Sequence, residues 1–304
     1  MKVEFRRILC ATDLSAISNH AVSFAVAMAR QYEAELLLCN VIDLPLVTVH
    51  GAAYTYPEDY VENLKAEILE SLNKLAGQLP VPFKPIVATG PVAATISSLI
   101  DEHQIDLAIA ATHGRSGFKR LIIGSVTERL IRTLSCPTLV VPPPAADRSA
   151  VSTHQAGFTR ILVGCDFSTD SNAALKFALS LAQEFQSELH LVHVIEPVVY
   201  RDVLLPEGLL EDVQTNLNPH LDEMLQALVP EDARNWCEIK TTCLAGRPYE
   251  EITSYAQLED VDLIVLGVRG RSLMETVLLG ATTGRVIRRA VCPVLSVGPR
   301  LQAD

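Results

Sequence analysis

"FRRILCATDLSAIS" (Phe5–Ser18) returns as "FTRILVGCDFSTDS" (Phe158–Ser171), 153 residues further on. In each copy a short β-branched and apolar run ends at an aspartate, Asp13 or Asp166, and a serine follows two residues later. That pattern predicts a buried strand, a turn and a helix entry, because Ser and Asp side chains satisfy the free amides of a first helical turn. "CNVID" (Cys39–Asp43) matches "VHVIE" (Val192–Glu196) at the same offset. Gly90 and Gly246, Asp106 and Asp262, Gly124 and Gly280, and "CPTLVVPP" from Cys136 with "CPVLSVGP" from Cys292, match at an offset of 156. The chain therefore reads as a tandem duplication with a three-residue insertion between the anchors. The join "PPPAADRSAVSTHQAG" (Pro142–Gly157) has linker composition, prolines first and small polar residues after. The expected domains are 1–142 and 158–304, with 143–157 between them.

Each unit alternates strands and helices. In the first, strands are expected at 7–12, 35–42, 83–88, 106–111 and 138–141, and helices at 15–32, 58–79 and 125–134, with one more opened by Gly90-Pro91. Residues 43–57 have no clean period and read as a loop. Such alternation, with right-handed crossovers, gives a parallel sheet covered by helices on both faces. The expected fold class is α/β, two doubly wound five-stranded units. Ligands of such sheets bind beyond the carboxyl ends of the strands, at the switch point.

The 304 residues suffice for two ordinary domains, and 49% hydrophobic against 20% charged residues describes a packed protein. Aromatics at 5% leave the core to aliphatic side chains, as in sheets buried on both faces. The net charge of −11 argues against a broad nucleic-acid face. No apolar run reaches the ~18–20 residues of a membrane span. "MKVEFRRILCATD" reaches Asp13 before an apolar leader could form, so no signal peptide is expected and the chain reads as cytoplasmic, with no membrane partner. Seven cysteines without a CxxC pair read as buried free thiols, not as a metal site.

"ATHGRSGFKRLIIGS" (Ala111–Ser125) and "GVRGRSLMETVLLGA" (Gly267–Ala281) share a second frame: a small residue, two others, a glycine, nine residues, a glycine. Glycines let a backbone approach a phosphate, and a helix N-terminus supplies free N–H groups. Gly114, Gly124 and Ser125 are placed for this, Arg115 adds a cation, His113 lies inside the loop, and Asp13 could hold ribose hydroxyls. The same residues also permit a reading without ligand. Ser125-Val126-Thr127-Glu128 is a capping box and Gly114 a turn glycine.

"ILCATDLS" and "ILVGCDFS", "NVID" and "HVIE", the two glycine loops, and "GSVTERLIRTLSCPTLVV" with "GATTGRVIRRAVCPVLSV" together resemble a tandem universal stress protein over nearly the whole chain. The family's nucleotide pattern is G-x2-G-x9-G-(S/T). The resemblance implies a Rossmann-like, adenine-nucleotide-hydrolase-like fold and an ATP or AMP site, with or without Mg2+, in members that keep the glycines. It implies that Asp13 and Val41 contact ribose and adenine, and that Gly114, Gly124 and Ser125 hold phosphates. In the second unit the matching residues are Asp166, Val194, Gly267, Gly270 and Gly280, with Arg271 at the place of Arg115. Each copy departs once: Ala111 replaces the first glycine, and Ala281 replaces the final Ser or Thr, with Thr282 and Thr283 as possible substitutes. Two unequal sites are expected. The first would favour triphosphate, and the second a shorter nucleotide or none. Family members pair through the last strand, which implies an intrachain pseudo-dimer of 138–141 against 293–297, leaving a further homodimer and a protein partner open. The implied role is a nucleotide-dependent stress response. A nucleotide-free interaction module and a slow Mg2+-dependent ATPase are the competing readings.

Other constellations carry less. His190 and His193 are three apart on a strand, so they face opposite ways and cannot share a metal. His50, Tyr54 and Tyr56 read as local packing. Arg285, Arg288 and Arg289 suit a helix C-terminus better than nucleic acid. Walker A, G-x-S-x-G and H-E-x-x-H are all absent from the sequence, and no acid–base pair has a defensible spacing.

Overall fold

Strand β1 (Arg7–Ala11) leads into α1 (Ala16–Gln31) and β2 (Glu35–Ile42), the first turn of a parallel winding. The computed structural model describes residues 3–44, 47–49, 52–54, 56–76, 80–112, 124–144, 157–196, 209–269 and 280–298. After β2 come β3 (Val47–Val49), β4 (Ala52–Tyr54), α2 (Glu58–Ala76), β5 (Phe83–Thr89), α3 (Val92–His103), β6 (Leu107–Ala111), α4 (Ser125–Thr133) and β7 (Thr138–Val141). The main sheet runs β7-β6-β1-β2-β5, every pair parallel. The order reverses between β1 and β6, which makes their carboxyl ends the switch point. All five residues of β6 and all four of β7 are buried, as continuous apolar strands covered on both faces must be.

The second unit repeats this with β8 (Arg160–Gly164), α5 (Thr169–Phe185), β9 (Glu188–Ile195), α6 (Leu209–Leu228), a 3-10 turn at Glu231–Asn235, β10 (Ile239–Ala245), α7 (Pro248–Leu258), β11 (Leu263–Gly267), α8 (Ala281–Arg289) and β12 (Val294–Val297). Its order is β10-β9-β8-β11-β12, again parallel throughout. The chain divides into two compact units, 4–156 and 157–304, the latter together with 1–3.

Repeated residues have repeated jobs. Asp106 Oδ2 accepts from the amides of Arg6 (2.8 Å) and Arg7 (2.9 Å), tying the start of β6 to β1. Asp262 Oδ2 does the same for Thr159 (2.8 Å) and Arg160 (3.0 Å). Gly90 and Gly246 sit at φ 139° and 150°, where a side chain is strained. Two local expectations differ from the structure. The region read as loop contains the antiparallel pair β3–β4, with Thr48 opposite Ala53, because three-residue strands are too short to show a period. Pro91 is the N-cap of α3 and not its first residue, whereas Pro248 opens α7.

Among the described residues no helix is long and apolar enough to cross a membrane, and no cluster of His, Cys, Asp or Glu could hold a metal ion. The seven cysteines are free, six of them buried.

Candidate functional sites

Each strand 1 ends in the same tight entry. Asp13 Oδ1 accepts from the Ser15 amide and Asp166 Oδ1 from the Ser168 amide, both at 3.0 Å. Ser15 and Ser168 cap α1 and α5, accepting from Ser18 N (3.2 Å) and Ser171 N (3.1 Å). The residue between aspartate and serine is left-handed in both units, Leu14 at φ 63° and Phe167 at φ 61°. Non-glycine residues are rare in that region, and it is used here twice to turn the chain at the edge of the sheet.

A glycine-capped helix forms the opposite wall. Gly124 N donates to Thr112 O (3.0 Å) and Thr127 Oγ1 to Ala111 O (2.9 Å), strapping α4 to the end of β6. Gly280 N donates to Val268 O (2.8 Å) and Thr283 Oγ1 to Gly267 O (2.8 Å), strapping α8 to β11. The capping-box reading of Ser125 is corrected: the N-cap is Gly124, which has no side chain to cap with, and Ser125 is the first helical residue. Gly280 caps α8 in the same way, so Ala281 and Thr282 begin that helix. Amides of a first turn have no partner within their own helix. Thr282 and Thr283 both line the cavity, and the Thr283 hydroxyl already donates to Gly267 O.

Between these walls each unit holds a cavity, about 330 Å3 in the first and 370 Å3 in the second. Both are the size of a small-ligand pocket. Asp13, Val41, Ala111, Gly124 and Ser125 all line the first. Asp166, Val194, Gly267, Gly280, Ala281 and Thr282 all line the second. His113, Gly114, Arg115, Gly270 and Arg271, and also His50, lie outside the described residues.

The structure adds residues that sequence reasoning missed. Tyr249, Arg269 and Arg285 line the second cavity. Arg269 donates through its backbone N (3.1 Å) and Nε (3.2 Å) to Oδ2 of the buried Asp170. Arg285 and Arg289 lie over the Tyr249 ring, 4.9 and 4.6 Å from its centroid. The Tyr249 hydroxyl donates to Glu250 Oε1 at 2.6 Å, and Arg247 and Arg289 stand 3.6 Å from the same oxygen. That hydroxyl first, and then the two cations, hold the Glu250 carboxyl below its usual range. Arg288 and Arg289 occupy the last turn of α8, as expected, but Arg285 faces the cavity. The described lining of the first cavity contains no cation.

Gly267 has a reason that spacing did not reveal. A Cβ there would stand 2.7–2.9 Å from the carbonyl carbon, Cβ and carbonyl oxygen of Asp170, so the glycine lets α5 close onto β11. Its counterpart Ala111 carries a methyl and is buried.

The one cysteine in the described lining of the first cavity is a poor nucleophile. Burial pushes Cys39, in the lining of the first, up to about 12. His193 Nδ1 donates to Cys165 O at 2.8 Å, as Asn40 Nδ2 donates to Thr12 O at the same distance. The histidine thus replaces a structural asparagine. His190 points elsewhere, its Nδ1 2.9 Å from the Tyr255 hydroxyl.

Two doubly wound units, each with a ligand-sized cavity at its switch point, define the class: a tandem α/β protein of Rossmann-like architecture. The model of the universal stress protein family matches residues 4–142 and 157–298, and the chain belongs to that family. A universal stress protein of Methanocaldococcus jannaschii is 36% identical over 142 residues, 46% of this chain and 82% of that protein. One of Mycolicibacterium smegmatis is 27% identical over 303 residues, 96% of this chain and 97% of its own length. The crystal structure of a universal stress protein from Archaeoglobus fulgidus superposes with a TM-score of 0.68 at 21% identity, covering 96% of this chain and 98% of that one. At that identity the likeness shows the fold.

Proposed function

We propose that the chain is a stress protein that binds adenine nucleotide, ATP or AMP, in one or both cavities, and acts through conformation or partner binding. The observation that carries this reading is the shared wall of each cavity: the start of a nine-residue helix capped by a bare glycine lines it together with an aspartate from the switch point. In the first site the amides and hydroxyl at the start of α4 would hold phosphate, with Asp13 toward the ribose and Val41 toward the base. Asp166, Val194 and the start of α8 would play these parts in the second. Bound Mg2+ would serve the phosphates. Such binding needs no covalent step.

A second reading has its own support. Asp13, Asp166 and Gly267 each have a folding role without ligand, in the helix entries and in the approach of α5 to β11. An interaction module that has lost nucleotide would keep them.

Purification without added nucleotide, heat denaturation and chromatography of the released material separate the two. ATP or AMP near one or two per chain is expected. An empty chain that also fails to bind added ATP and AMP in calorimetry would favour the interaction module. Mg2+-dependent turnover lost on substituting Gly124 would favour a slow ATPase.

A further inference from the structure

We infer that Arg285, held over the cavity by Tyr249, is the anion contact of the second site, and that it makes this site select phosphorylated over unphosphorylated nucleoside. The inference rests on the nucleotide reading above.

Ala281, Thr282 and Arg285 lie three and four residues apart on α8, so they share one helix face, and all three line the cavity. Ligand bound at the free first-turn amides of α8 therefore lies one turn from the guanidinium. The other cation of this lining, Arg269, is matched by buried Asp170. Arg289 and Arg247 are matched by Glu250. Among the described residues Arg285 has the Tyr249 ring and no carboxylate, so its charge remains available to an incoming anion. An aromatic face holds a guanidinium without neutralising it. Asp166 and Glu196, also in the lining, are the carboxylates that Arg285 must outweigh.

The first unit supplies a built-in control. Arg129 occupies the position of Arg285, but Ala93 stands where Tyr249 does, and Arg129 is not in the lining of its cavity. The hydroxyl that Ser125 offers the first site is absent at Ala281, and a guanidinium takes its place.

The test is equilibrium dialysis of labelled AMP and adenosine against the full chain and five variants. In Arg285→Ala, the AMP equivalent assigned to the second site weakens about tenfold while adenosine binding is unchanged. Arg285→Lys keeps part of the preference, and Arg129→Ala leaves both ligands unaffected. Tyr249→Phe keeps the AMP preference, because the ring remains, and Tyr249→Leu loses it. Equal AMP binding by the parent chain and Arg285→Ala would overturn the role of Arg285 and leave the nucleotide reading intact. A parent chain that binds neither ligand would remove the nucleotide reading, and this inference with it. Equal loss of AMP and adenosine in Arg285→Ala would make the residue structural and refute an anion contact.

Discussion

The two cavities are copies with the same floor and different walls. Both stand at a β1-type aspartate followed by a left-handed residue, and both are closed by a glycine-capped helix. They differ where one unit has Ala111, Ala93 and Ile17 and the other has Gly267, Tyr249 and Asp170. In the second unit these three changes bring α5 close to β11, lock the Arg269 backbone to a buried carboxylate, and hold Arg285 at the cavity. The two copies thus keep the same sheet edge, and their described linings differ in charge.

The largest effect expected from breaking this contrast is at Arg269. Arg269→Ala removes the guanidinium beside buried Asp170 and leaves one backbone donor. Loss of one partner of a buried pair costs several kcal/mol, and the part-exposed Arg269 places this case near about 3 kcal/mol. Urea unfolding followed by circular dichroism reads it, and a loss under about 0.5 kcal/mol would mean that water already screens the pair.

Next is the exchange at the strand ends. Gly267→Ala drives a methyl into the α5 backbone and should cost about 2 kcal/mol in thermal or urea unfolding. The reverse change, Ala111→Gly, opens no clash and should cost about 1 kcal/mol through backbone freedom. Equal costs would show that α5 yields as easily as α1.

The helix caps sharpen the same point on a finer scale. A Cβ at Gly280 would meet Val268 O at 3.0 Å, and one at Gly124 would meet Thr112 O at 3.4 Å. Both alanine variants lose a favoured cap residue, so the difference isolates the contact. Gly280→Ala should be the less stable by about 0.5–1 kcal/mol.

The smallest effect is the pH dependence that His190 adds in the second unit. Buried His190 stands where the first unit has Leu37. Burial holds its imidazole below the ordinary 6.5, opposed by Glu188 and aided by Lys240, and Tyr255 bonds its other nitrogen. The unfolded chain therefore takes up the proton first as pH falls. Stability contributed by the neutral imidazole is present above 6.5 and is lost on acidification through and below that value. Glu188, itself held low chiefly by Lys240, loses its own contribution only below the usual carboxylate range. Unfolding midpoints between pH 7.5 and 5.0 should fall in the parent chain and stay flatter in His190→Leu. Parallel curves would remove His190 as the cause.

The sheet and the location of both cavities were legible because their signals are local. Apolar runs, Asp-x-Ser entries and the glycine spacing lie within one or two elements, and Asp13, Val41 and Gly124 do meet at one cavity. What sequence reasoning missed depends on partners far apart along the chain. Asp170 and Arg269 are 99 residues apart and meet only when α5 and β11 lie together. Tyr249 and Arg285 belong to different helices, so a cation four residues into α8 looked like part of a basic helix end. Ser125 looked like a cap because the serine-glutamate spacing is right. The Gly124–Thr112 and Thr127–Ala111 hydrogen bonds start the helix one residue earlier in the motif.

The sequence by itself determined the duplication, the α/β class and the edge at which ligands would gather, since hydrophobic period and turn chemistry are properties of neighbouring residues. Tertiary structure decided what each edge became. Whether an arginine is a helix end or an anion contact, and whether a glycine serves a ligand or a packed helix, depends on which backbone and which ring the fold brings within a few ångströms.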